Sequence, residues 1–160
     1  MSEGYDNSFR AAGGRALGLD VGQRRIGVAV SDELGWTAQG VTVIERRSLR
    51  EDVRRLAALA KQYGCARIVV GLPRRTDGRL GPEAQAVQAF GRQLESATGL
   101  PVEYWDERFS TAQARHTLLE AGVRRDRRRQ VIDQLAASVI LQAYLDRRRR
   151  EAQQREEHAE

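Results

Sequence analysis

Carboxyl side chains follow two predicted strands of this 160-residue chain. Asp20 ends the alternating run 16–19 and precedes Gly22, whose missing side chain lets the backbone come close to a ligand. Asp106 and Glu107 follow a second apolar run. A structural role is the alternative in each case: Asp20 could bond turn amides, and Glu107 could favour the N-terminus of a helix.

Asp133 is a third candidate, because its helical neighbours four, seven and eleven residues on are Ala137, Ile140 and Tyr144. A carboxylate on such an apolar stripe needs a partner if it is buried. Asp133 could instead cap a helix that begins at this point. The residue by itself leaves both interpretations open.

Acids drawn from these three elements would repel one another strongly if they met without a cation. Oxygen ligands favour Mg²⁺ or Mn²⁺, and two such ions about 4 Å apart can activate water and stabilise the leaving oxygen of a phosphodiester. His116, His158 and Cys65 are too few to build a zinc site of Cys and His ligands. We therefore expect any metal to be held by carboxylates.

The elements that must position these acids follow from the apolar pattern. It predicts three strands, a helix, a strand, a helix, a strand and two helices, over residues 16–20, 25–31, 41–45, 49–63, 67–70, 82–97, 101–105, 110–120 and 132–147. This order is typical of an α/β fold with a mixed five-stranded sheet, whose first three strands are antiparallel and whose last two follow helical crossovers. Ligands bind such sheets at the carboxyl ends of strands.

The length favours one folded domain and excludes a two-lobed enzyme. We expect a flexible leader over residues 1–14, the domain over 15–147, and a charged tail with a frayed helix end over 148–160. No apolar run approaches the roughly 20 residues of a membrane span, and the leader lacks the apolar segment of a signal peptide. The expected location is the cytoplasm, with no membrane partner.

The basic residues are almost all arginine. The chain has 27 basic and 22 acidic residues, a net charge of +5, and Lys61 as its only lysine. Guanidinium groups match phosphate geometry, so a nucleic acid is the first partner to expect, although codon bias explains part of the composition. The arginines beside motif loops are the candidate phosphate contacts: Arg24, Arg25, Arg74, Arg75, Arg108, Arg124, Arg125, Arg127, Arg128 and Arg129. For Arg108, a structural ion pair with a neighbouring acid is favoured over a phosphate contact.

Five stretches of the chain together resemble the YqgF (RuvX) family of RNase H-like nucleases. They are Leu17-Gly18-Leu19-Asp20-Val21-Gly22, Arg25-Ile26-Gly27-Val28-Ala29-Val30-Ser31-Asp32, Val69-Val70-Gly71-Leu72-Pro73, Trp105-Asp106-Glu107-Arg108 and Ile132 to Leu145. The resemblance covers residues 15–147. It implies an RNase H-like fold and metal-dependent phosphodiester hydrolysis, with Asp20, Glu107 and Asp133 as the catalytic acids that bind two Mg²⁺ or Mn²⁺ ions.

The same resemblance implies processing of the 5′ end of precursor 16S rRNA, with ribosomal particles as a further partner. The first alternative is a Holliday junction resolvase that cuts four-way DNA as a homodimer. The second is a nucleotide-binding module, since the loop at Asp20 is similar to the phosphate loop of actin-like and sugar-kinase folds, which need two such domains. The third is a non-catalytic RNA-binding adaptor. Cleavage site, preferred metal and a monomeric or dimeric state are left open.

Overall fold

The computed structural model describes residues 14–74, 77–109 and 125–159. The predicted leader and the predicted helix over 110–120 lie outside the described residues, apart from Gly14. The observed elements are β1 (Arg15–Val21), β2 (Arg25–Ser31), β3 (Ala38–Glu45), α1 (Leu49–Gln62), β4 (Cys65–Leu72), α2 (Pro82–Thr98), β5 (Val102–Asp106), a 3₁₀ turn (Glu107–Phe109) and α3 (Arg125–Ala159).

The strands form one five-stranded sheet in the order β3-β2-β1-β4-β5. Antiparallel pairing joins β1 to β2 and β2 to β3, whereas β1 with β4 and β4 with β5 are parallel. The predicted mixed sheet is confirmed. Because β1, β4 and β5 run in one direction, their carboxyl ends meet at one edge, which is the edge predicted for the acids.

Helices α1 and α2 cover one face of the sheet. The Ser48 side chain accepts a hydrogen bond of 3.1 Å from the amide of Glu51 and so caps the start of α1. Pro82 begins α2, and Gly99 ends it in the left-handed conformation, with φ of 70°. Apolar residues of both helices pack on the odd-numbered side chains of β1, such as Leu17 and Leu19, in the larger of the two cores.

Helix α3 covers the other face. Its buried residues include Ala137, Ile140 and Tyr144, as the apolar stripe predicts. The proposal that Asp133 caps this helix is wrong, because α3 begins at Arg125. The segment 125–129, expected between two helices, and the tail, expected to fray, are both helical, since residues 125–159 contain neither Gly nor Pro and arginine is a good helix former.

Strand β3 begins at Ala38, three residues before its predicted start at 41. Gly40, which precedes the predicted range, lies within the observed strand, where the pairing with β2 shifts register. A Cβ at Gly40 would lie 2.9 Å from Cβ of Gln134, so a glycine lets α3 pack closely on this strand. In the described part of the chain, no helix combines the length and apolar character needed to span a bilayer.

Candidate active site

Asp20 lies near the end of β1 with its side chain on the α3 face of the sheet. Strand side chains alternate between faces, and Leu17 and Leu19 occupy the opposite one. Asp20 is the cross-strand partner of Gly27 in β2. On its other side, Leu19 pairs with Val70 of β4, so the next residue, Gly71, is the neighbour of Asp20. A 3% exposed carboxylate is thus flanked by two residues without side chains.

These two glycines leave the space that the other acids enter. A Cβ at Gly27 would lie 2.8 Å from the carbonyl carbon of Asp133 and would overlap its carbonyl oxygen. A Cβ at Gly71 would lie 2.8 Å from Oε1 of Glu107 and 2.7 Å from Cδ1 of Ile140. The side chain of Glu107 therefore lies over the strand on one side of Asp20, and the backbone of Asp133 lies over the strand on the other side.

The Asp133 carboxylate accepts a hydrogen bond of 2.8 Å from Nε of Arg25, the first residue of β2. The Asp133 side chain is 13% exposed, so the acid on the apolar stripe is largely buried. A buried carboxylate needs a partner, and Arg25 is that partner. Arg25, which the sequence offers as a phosphate contact, has a carboxylate partner here. Its contact with nucleic acid stays a prediction.

The donor set at this edge is oxygen only, which suits a hard divalent cation. Asp20 and Glu107 share one open cavity and fit that requirement, while Asp133 shares its carboxylate with Arg25. Within residues 14–74, 77–109 and 125–159, no group of three or more His, Cys, Asp or Glu side chains has the arrangement of a metal site. The three-acid metal centre therefore stays a prediction.

Burial raises the pKa of Glu107 above its ordinary value, and the negative charges of Asp106 and Glu83 add to that effect. A raised carboxyl pKa means that the ionised form is disfavoured in the folded chain. Folding then becomes less favourable as pH rises from the ordinary value of 4.5 through the folded pKa. A bound cation would relieve this electrostatic cost.

Asp106 has a different environment from its neighbour Glu107. It pairs with Leu72, whose side chain packs in the α1–α2 core, and its carboxylate bonds Arg108 at 2.7 Å and Arg74 at 3.3 Å. Burial opposes ionisation of Asp106, but hydrogen bonds and charge from Arg108, with the charge of Arg74, hold its pKa below the ordinary value. Of the two acids the sequence places here, Glu107 enters the cavity and Asp106 orders two arginines.

We expect Asp106→Asn to lower the free energy of unfolding at pH 7 by about 1 kcal/mol, because both guanidinium partners are partly exposed and solvent screens the pairs. The folded pKa is depressed, so this contribution is present above pH 3.8 and disappears as pH falls through the folded pKa. Urea unfolding of both chains at several pH values measures it. Asp77→Asn, at an exposed pair with a 3.7 Å separation, is the matched control with no expected change. A difference between the Asp106 variant and wild type that persists at the acid end would contradict this account.

The remaining arginine candidates divide by what the structure describes. Arg24 is exposed in the turn between β1 and β2, next to Asp20. Arg75 and Arg124 lie outside the described residues. The backbone of Arg125, Arg127, Arg128 and Arg129 is helical, in the first turns of α3, and their side chains lie outside the described part. As phosphate contacts, all of these arginines stay predictions.

Sequence reasoning missed three residues of this site. A cavity of about 600 Å³ begins at Asp20 and Glu107 and continues between the β1–β2 turn and α2. Arg46, Glu83 and Phe90 line it. Glu83 was hidden because it reads as an ordinary acid in the first turn of a helix, and Phe90 because it reads as an ordinary core residue. The charge run around Arg46 was the only available signal.

Comparisons with known proteins show which family the chain belongs to. The profile of the RuvX family, described as Holliday junction resolvase, matches residues 14–147. The chain belongs to the RuvX family. One similar protein, from Moorella thermoacetica, is named "Putative pre-16S rRNA nuclease". It is 58% identical over 133 residues, which are 83% of this chain and 95% of that protein. A protein of Myxococcus xanthus with the same name is 52% identical over 84% of this chain and 89% of its own length.

A solved structure extends the comparison to the fold. RuvC of T. thermophilus, in complex with a Holliday junction substrate, superposes with a TM-score of 0.51 over 81% of this chain and 93% of RuvC. The sequence identity is 14%, so the likeness concerns the fold. The RNase H-like α/β fold expected for this RuvX-family chain is confirmed.

Proposed function

We propose that this RuvX-family chain is a metal-dependent nuclease that hydrolyses phosphodiester bonds. The observation that carries the proposal is that Asp20 and Glu107 line one cavity, while the backbone of Asp133 packs on Gly27, the cross-strand partner of Asp20. Residues 15–147 make up the nuclease domain, and α3 continues beyond it. We place the protein in the cytoplasm, on the basis of the nucleic-acid substrate proposed below.

Each of the three acids would act as a metal ligand in the proposed site. Asp20, fixed on β1 and almost fully buried, and Glu107, over Gly71, would hold divalent metal, with Asp133 as the third ligand. Bound there, Mg²⁺ or Mn²⁺ would supply charge stabilisation at the phosphate and a lower pKa for attacking water. Arg25 orients Asp133 through its 2.8 Å bond, and the exposed Arg24 can bind the substrate backbone. No histidine base is required.

The substrate we favour is precursor 16S rRNA, because the similar RuvX-family proteins carry that function in their names and match over most of both chains. The second candidate is the Holliday junction, favoured by the description of the family. Symmetric cleavage of a four-way junction requires two active sites, and therefore a homodimer. Binding of the RNA within a ribosomal particle is a further part of the first candidate.

The deciding experiment incubates the full chain with a 5′-extended 16S rRNA precursor and, separately, with a four-way DNA junction, in Mg²⁺, Mn²⁺ or EDTA. We expect RNA cleavage in at least one metal and none in EDTA. Paired symmetric nicks in the DNA with intact RNA would reverse the choice of substrate. Cleavage that continues undiminished in EDTA would overturn the metal-dependent mechanism.

A further inference from the structure

The cavity beside Asp20 and Glu107 is larger than a metal site needs. Its volume of about 600 Å³ lies in the range of sites that hold a whole small ligand. Asp20 and Glu107 line it together with residues of α2. Because it is continuous with the proposed reaction centre, whatever occupies it must lie next to the reacting phosphate.

The wall on the α2 side is mainly apolar. Pro82, Ala86, Val87 and Phe90 of α2 line it, with Pro73 after β4 beside them and Glu83 as the charged residue that this helix contributes. Val87 and Phe90 are buried, while Ala86 is exposed and borders the cavity. A surface of this kind favours a flat, neutral group over a hydrated ion.

Arg46 provides a fixed planar group in this cavity. Its Nε bonds a carboxyl oxygen of the buried Asp52 at 3.4 Å, and its Nη1 donates to the carbonyl of Gly22 at 3.0 Å. The guanidinium carbon lies 5.3 Å from the centre of the Phe90 ring. Phe90 therefore supports one face of the guanidinium, and the bonds at its edge hold its orientation. Bases stack on arginine planes of this kind in single-stranded nucleic acid recognition.

The charge of the lining residues decides whether the cavity favours the phosphate or the base of a nucleotide. Asp20, Glu83 and Glu107 line it together with Arg46, so carboxylates outnumber the guanidinium. A phosphate placed deep in the cavity would be repelled. A base is neutral, and it can also accept hydrogen bonds from Arg46 or donate them to Glu83. The occupant that fits is the base.

We propose that this cavity binds the base of the nucleotide adjacent to the cleaved phosphate, stacked on Arg46 and the apolar face of α2. This inference rests on the proposed nuclease function and adds a base-binding subsite to it. It makes the preferred substrate a strand whose nucleotide at this position is unpaired, since a base held in a duplex cannot turn into the cavity.

The test blocks the cavity without disturbing the core. Ala86→Trp fills it from an exposed position on α2, and Gln85→Trp places the same side chain on the neighbouring exposed position, which does not line the cavity. Fluorescence anisotropy in EDTA measures binding of a labelled eight-nucleotide oligoadenylate and of an abasic strand of equal length. We expect wild type and Gln85→Trp to bind oligoadenylate about tenfold more tightly than the abasic strand, from one stacked base. Ala86→Trp is expected to lose that preference.

Equal weakening of both strands by Ala86→Trp, or an unchanged preference, would overturn the subsite. A wild-type chain that binds the two strands equally would overturn it as well. Failure of the proposed function has a different signature: no cleavage of any substrate in metal, with the base preference and its loss in Ala86→Trp intact. Circular dichroism of both tryptophan variants verifies that the comparison is between folded chains.

Discussion

An Asp20→Asn chain is expected to cleave its substrate at least ~10²-fold more slowly than wild type, the scale of effect seen when one preorganised group at a reaction centre is removed. The amide has the shape of the carboxylate, and Asp20 is almost fully buried, so the fold has no reason to change. What is lost is the negative oxygen that would bind a divalent cation. The measurement is kcat on a substrate with a mapped cleavage position, in Mg²⁺ and in Mn²⁺.

The matched control is Asp32→Asn, which makes the same chemical change at the far end of β2. There the carboxylate accepts amide hydrogen bonds from Trp36 and Thr37, so the cost falls on a turn and cleavage is retained. Thermal unfolding adds a second readout, because a ligand that binds only the folded chain raises its Tm. Mn²⁺ should raise the Tm of wild type more than that of Asp20→Asn. Cleavage by the Asp20 variant at the wild-type rate would remove Asp20 from the site.

The second large effect concerns the glycines beside Asp20. Gly27→Ala places a methyl group against the backbone carbonyl of Asp133, and backbone of a packed helix cannot move aside alone. We expect a loss of about 3 kcal/mol or more in the free energy of unfolding, at the upper end of overpacking costs, together with lost cleavage. At Gly71→Ala the nearest atoms belong to the side chains of Ile140 and Glu107 and not to backbone, so they can adjust at lower cost.

The two variants therefore separate folding from chemistry. In Gly71→Ala the overpacking cost is partly offset by the reduced entropy of the unfolded chain, about 0.4–1 kcal/mol, so a small change in stability is expected. Displacement of the Glu107 carboxylate should still lower cleavage ~10-fold or more, as loss of ligand positioning does. Urea unfolding and kcat on the same preparations decide this. Stable, active Gly27→Ala would mean that α3 does not lie against β2 at Asp133.

The elements that local pattern controls are those that sequence predicts well. The apolar patterns of β1, β2 and α1 each fix a local conformation, and these predicted elements are confirmed. The predicted starts of β3 and α3 were wrong because the residues there are compatible with two kinds of structure. Gly40 lies within β3 because α3 packs closely on it, which no local pattern reports. The arginines before Asp133 extend α3 because arginine is a good helix former, although the run of like charges suggested a connection between helices.

The acids follow the same division. Residue types and spacing alone named Asp20, the pair Asp106 and Glu107, and Asp133, and the family resemblance selected Glu107 from the pair. Contacts decide what local pattern could not: Asp106 is held by Arg74 and Arg108, while Glu107 lies over Gly71. The bond between Asp133 and Arg25 joins residues 108 positions apart, which no local signal reports.

The α/β class, the order of the described elements and the candidate acids can all be predicted from the amino-acid sequence, since they follow from short-range periodicity and from which side chains can bind cations. The folded chain adds which arginines Asp106 and Asp133 contact, and that Arg46, Glu83 and Phe90 line a cavity together with Asp20 and Glu107. These contacts depend on the space beside Gly27 and Gly71, which have no side chains. That space matters only after folding brings Asp133 and Glu107 into it, so the local sequence does not report it.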